Sequence, residues 1–117
     1  MRSVSFILVA GLLGPAASAQ APQSEFEAAA GRFISCLTAP VRMGMTVKMD
    51  PEAFKAGLDK SCKAEEAGFR AAAIRQAVAQ GRTEAQAVAE VEGNIARGRA
   101  AFAADQASYV RTGKVPK

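Results

Sequence analysis

Two kinds of sulfur carry whatever chemistry this sequence offers. Cys36 and Cys62 are its two cysteines, and Met43, Met45 and Met49 set three thioethers in one short segment. Thioethers select soft cations, so the segment is a candidate Cu(I) or Ag(I) site, with Met45 and Met49 one helical turn apart and Met43 pointing elsewhere. The competing account is packing, because methionine fills irregular gaps where a loop or bent helix folds over a core. The sequence has no histidine, which removes Ser-His-Asp and Cys-His nucleophiles and the imidazole metal ligand. Glu65 and Glu66, or Glu90 and Glu92, diverge from a helix surface and cannot flank a cleft as a glycosidase pair must. No glycine-rich phosphate loop or nucleophile elbow occurs, and Tyr109 reads as an aromatic at the edge of a core. A non-enzymatic protein without a cofactor is expected.

The two cysteines gain meaning from the start of the chain. Met1-Arg2 supplies a positive charge, Val4 to Leu13 an apolar run, and Ala17-Ser18-Ala19 the small residues a signal peptidase reads. This order predicts a secretory signal peptide over residues 1–19, cleaved after Ala19, and a periplasmic product. A membrane span needs about 20 apolar residues, and Gly14-Pro15 interrupts this run. Gln20 at the new N-terminus offers no thiol for a lipid, so no stable membrane anchor is expected. Removing residues 1–19 from the 117 leaves 98, with 14 basic residues against 11 acidic. Such a mild excess, with Lys55, Asp59, Lys60, Lys63, Glu65, Glu66 and Arg70 mixed in sign along the chain, predicts solvated helix faces and no nucleic-acid partner.

In an oxidising compartment an even pair of cysteines predicts a Cys36–Cys62 disulfide. The redox-active alternative lacks the Cys-x-x-Cys spacing that depresses a thiol pKa.

The elements that position these residues read as helices. Residues 20–23 are expected to be a disordered leader and 24–113 a single helical domain, with 114–117 a tail. Ser24 and Glu27 have capping-box spacing, and Phe26, Ala29, Ala30, Phe33, Ile34 and Leu37 recur at helical intervals. Pro40 either stops this helix near Thr38 or bends it on its way to about Val47. Asp50-Pro51-Glu52 starts a second helix, which is expected to run unbroken to Gly81. Phe54, Leu58, Cys62 and Phe69 lie on one stripe of it, with Ala67, Ala71, Ile74 and Val78 beside them. Asp59 with Lys63 and Glu66 with Arg70 are expected as outward-facing i,i+4 pairs. Thr83 to Gln86 forms another capping box, and the short connection makes the third helix an antiparallel neighbour of the second. Val88, Ile95, Phe102 and Tyr109 repeat at seven residues, and Ala89, Gly93, Ala96, Ala100 and Ala104 form a row of small residues that would let another helix approach. The reading is an all-α, three-helix domain: one shorter helix tied by a disulfide to a long antiparallel hairpin.

Signal peptide, Phe33-x-x-Cys36, Asp50-Pro51-Glu52-Ala53 and Cys62-x-x-Glu65 together resemble small two-cysteine exported proteins of alphaproteobacteria, a group that implies no activity or ligand. Size, helix content and one disulfide also resemble acid-activated periplasmic chaperones, although the cysteine separation is shorter than theirs. The leading expectation is action through protein contact, with a partner protein or as a homodimer. Thioether metal binding by Met43, Met45 and Met49 is the alternative, and an acid-stress holdase the third.

Overall fold

The computed structural model describes residues 15–117, with side chains from residue 21. Residues 1–14, the charged and apolar parts of the expected signal segment, lie outside the described residues. Four helices follow in order: α1 (Pro15–Thr46), α2 (Pro51–Lys60), α3 (Lys63–Ala79) and α4 (Glu84–Thr112). No strand occurs among the described residues. The fold is all-α as expected, with four helices in place of three.

The local start and stop signals act where the sequence places them. Asp50 caps α2 by accepting from the Ala53 amide at 3.1 Å, with Pro51 in the first turn. Thr83 and Gln86 complete the capping box of α4, each accepting from the other's backbone amide. Gly81 takes φ +100° after α3, a conformation that costs glycine little and other residues much. The Arg82 and Gly81 amides there close back onto Ala77 and Val78. The end of α1 uses the same device with Lys48 in the left-handed position, its amide and that of Met49 donating to the Met45 and Gly44 carbonyls.

Two expectations need correction, and one open choice is settled. Residues 20–23 are helical rather than an irregular leader, because α1 starts at Pro15 and carries Ser24 in its interior, where it caps nothing. Of the two courses open at Pro40, the helix takes the second and continues to Thr46. The helix expected from Pro51 to Gly81 is broken at Ser61 and Cys62, with Ser61 extended and Cys62 left-handed at φ 60°, ψ 35°. Cys62 there bonds Cys36 of α1, and Arg99 of α4 donates to the Leu58 and Ser61 carbonyls at the end of α2, the first of which also accepts from the Ser61 amide.

Pairings along the chain fix the topology. Phe33 and Phe26 of α1 meet Phe69 of α3, with ring centroids 5.7 and 5.6 Å apart, and Glu25 pairs with Arg75. Numbers rise on one helix as they fall on the other, so α1 and α3 are antiparallel. Glu66 with Arg99, and Arg70 with Glu92, make α3 and α4 antiparallel in the same way. It follows that α1 and α4 run parallel. Phe33, Leu37, Phe54 and Leu58 form one buried cluster and Ala73, Val91 and Ile95 a second, with Phe69 packed against both. Each large apolar side chain so buried contributes about 1.5–3 kcal/mol.

The rest of the expected stripes face differently. Ala67, Ala71 and Val78 are exposed, as are Ala89, Ala96, Ala100 and Ala104, with Gly93 half-buried, so this row of α4 faces no neighbour among the described residues. Close approach occurs instead at buried Gly44, where a Cβ would stand 2.6 Å from Phe54 Cε2. Gly44→Ala is therefore expected to cost about 1–3 kcal/mol by overpacking. Gly31, helical and in open space, is expected to gain roughly 0.5–1 kcal/mol as alanine. Urea midpoints of the two variants should move in opposite directions.

Candidate functional site

The disulfide is formed: Cys36 and Cys62 bond with Cα atoms 6.0 Å apart. A Glu65 carboxylate oxygen lies within 4.8 Å of both sulfurs, but sulfurs bonded to each other offer no thiolate ligand.

The methionines divide between two surfaces. Met43 and Met49 line a 170 Å³ hollow beside Pro40 and Phe54, whereas Met45 lines a different hollow facing α4. The expected grouping of Met45 with Met49, and Met43 apart, is thus replaced by Met43 with Met49. The cause is the left-handed turn at Lys48, which takes Met49 out of helical register with Met45.

The expected Glu66–Arg70 pair is present at 3.6 Å, but Glu66 does not face outward. It is buried on α3, and its Oε1 accepts from Arg99 Nε at 2.8 Å, both side chains being 8% exposed. Arg99 also donates from Nη1 to the Leu58 carbonyl at 2.5 Å and from Nη2 to the Ser61 carbonyl at 2.8 Å. Its Cζ sits 5.4 Å from the centre of the Phe33 ring. One guanidinium therefore terminates α2, neutralises α3 and lies on α1. Burial alone would push the Glu66 carboxyl up, but the Arg99 hydrogen bond and charge, with Lys63 and Arg70 nearby, hold it below the ordinary carboxylate range. Of the other carboxylates, Glu92 pairs with Arg70 and Glu90 with Arg82, as solvated groups do.

Gln106 acts similarly at the end of α1. Fully buried, it donates from Nε2 to the Met49 carbonyl at 2.8 Å and the Gly44 carbonyl at 3.2 Å. Arg99 and Gln106 tie the helix ends to α4.

A further concave surface lies between the parallel helices α1 and α4. Its first hollow, 260 Å³, is walled chiefly by Phe33, Ile34 and Leu37 of α1 and Ile95 and Phe102 of α4. Its second, 380 Å³, is walled by Val41, Arg42 and Met45 of α1, Phe102 and Tyr109 of α4, and Val115 of the tail. Phe102 is the side chain common to both and stands between them. On α1, Ile34 and Val41 are seven residues apart, and on α4 so are Ile95, Phe102 and Tyr109. Residues seven apart on each wall stand about 10.5 Å apart along the helix axes. The heptad row of α4 is not closed by α1. Ile95 is buried, Phe102 and Tyr109 are half-buried, and Ile34 on the facing wall is 55% exposed.

The chain matches no protein-family model, no curated protein and no solved structure.

Proposed function

We propose that this is an exported protein, cleaved after Ala19, that performs no catalysis and works by holding a protein partner in the groove between α1 and α4. The observation that carries the reading is the open heptad row: two apolar hollows, walled by residues one heptad apart, between parallel helices. A heptad row buries its apolar residues against another helix, whereas here Phe102 and Tyr109 stay half-buried and Val88 exposed. Export is supported by the disulfide, which persists in oxidising compartments. Among the described residues no helix is long and apolar enough to cross a membrane. Cleavage after Ala19 would also leave Pro22 in the first turn of α1, where a missing amide hydrogen has no intrahelical role.

The test uses a benzophenone amino acid in place of Ile34, Met45 or Ala89, the last exposed on α4 outside the groove. Ile34 and Met45 are expected to crosslink the same partner and Ala89 to miss it. With that partner purified, Ile34→Glu should weaken the complex at least about tenfold, or about 1.4 kcal/mol, while the urea midpoint of the free protein stays unchanged. Equal crosslinking from all three positions, or an unchanged affinity for Ile34→Glu, would overturn the proposal.

A further inference from the structure

We infer that the occupant of the groove is an amphipathic heptad helix of a partner protein, running antiparallel to α1 and α4, with acidic residues in its first turn. This rests on the groove being a protein-binding site, and adds the partner's chemistry, direction and charge.

The spacing sets the shape of the partner. An α-helix presents apolar residues at i and i+7 about 10.5 Å apart, which is the spacing of Ile34 from Val41 on one wall and of Ile95 from Phe102 on the other. Between Asn94 and Tyr109 the α4 wall extends about 22 Å, enough for roughly four turns of a docked helix. An acyl chain would need one continuous trough, whereas Phe102 divides this one.

Charge sets the direction. Arg42 lies in the wall of the second hollow, and Lys114 and Lys117 flank Val115 in the tail. All three are exposed and none has an ion pair among the described residues. Asp105, the carboxylate on that stretch of α4, is half-buried and lines neither hollow. The cations stand near the C-terminal ends of α1 and α4. A helix entering with its N-terminus at that end opposes its dipole to theirs, and acids in its first turn meet both its own positive end and the cations. The walls of the first hollow contain one charge, Arg99, already satisfied by Glu66.

The test uses processed full-length protein and three synthetic peptides of about 18 residues. The first has leucines in heptad spacing and glutamates in its first turn. The second replaces those glutamates by lysines, and the third keeps the composition of the first with the leucines scrambled. Fluorescence anisotropy should show the first binding at least about tenfold tighter than either of the others, with a gain of helicity by circular dichroism. Arg42→Glu/Lys114→Glu, which removes no observed hydrogen bond of either side chain, should reverse the preference between the first two. Equal affinities, or a preference unmoved by this reversal, would overturn the inference. If no peptide binds while Ile34 still crosslinks a partner, the helix assignment is wrong and the groove reading stands. If neither occurs, both are wrong. Crosslinking of Ile34 to a second copy of this chain, or peptide displacement by palmitate with tighter palmitate binding, would assign the groove to that occupant instead.

Discussion

Replacing Arg99 by methionine should lower stability by about 3 kcal/mol, the low end of the cost of breaking a buried ion pair, because Lys63 and Arg70 stay 3.6 Å from Glu66. A domain of this size has roughly 5–15 kcal/mol in total, so the variant should have a markedly lower urea midpoint. The reasons are geometric. Arg99 supplies a charge to buried Glu66 and hydrogen bonds to the Leu58 and Ser61 carbonyls, and methionine supplies neither. Arg99→Lys keeps a charge but loses the planar fork that serves several acceptors together, and should recover part of the loss. Glu66→Met in the Arg99→Met background removes a carboxylate left with only its longer pairs to Lys63 and Arg70, and should restore stability beyond the single variant. An Arg99→Met midpoint close to that of the parent would refute the central role given to this side chain.

The same pair sets a pH dependence whose sign follows from the lowered Glu66 pKa. A carboxyl more acidic when folded than unfolded contributes stability that is fully present above its unfolded value. That contribution is lost as the pH falls below the ordinary carboxylate range and through its folded value. Glu66→Gln should flatten this component of the acid transition.

Arg99 and Glu66 also show why part of the fold was not legible in the sequence. Caps act within one turn, so Asp50, Gly81 and Thr83 announce the helix ends around them. The break between α2 and α3 has no glycine or proline near Ser61 and Cys62 to announce it. It is made from a distance, by a disulfide from α1 and by a guanidinium from α4. One signal was present: Val91, Ile95, Arg99, Phe102 and Gln106 recur at three and four residues, so Arg99 and Gln106 stand on the apolar face of α4. Glu66 stands likewise in register with Phe69 and Ala73. Polar side chains on an apolar face point to buried partners, and reading Glu66 as half of an i,i+4 surface pair hid this. The candidate site was half legible. The seven-residue row of α4 is plain in the sequence, but that α1 leaves it partly open depends on how α1 sits against α3, through Phe26, Phe33 and Phe69.

Removing the disulfide should have the second large effect and should separate the two agents that hold the break. Cys36→Ala/Cys62→Ala opens a cross-link between residues 26 apart in sequence. Chain entropy assigns such a cross-link roughly 3.5 kcal/mol, exerted on the unfolded state. The unfolding midpoint should fall accordingly. Yet the folded variant should keep its shape, because Arg99 still binds the Leu58 and Ser61 carbonyls. Its helicity by circular dichroism below the transition should match the parent. The left-handed backbone at residue 62 gives a finer test. If Arg99 preserves that conformation without the disulfide, Cys36→Ala/Cys62→Gly should be more stable than Cys36→Ala/Cys62→Ala by about 1 kcal/mol, since glycine is unstrained there. If the disulfide alone imposes the break, α2 and α3 should fuse when it is removed. Helicity would then rise, and glycine would become the worse replacement by about the same amount, as it is inside any helix. The sign of that one difference decides between the cross-link and the guanidinium as the cause of the break.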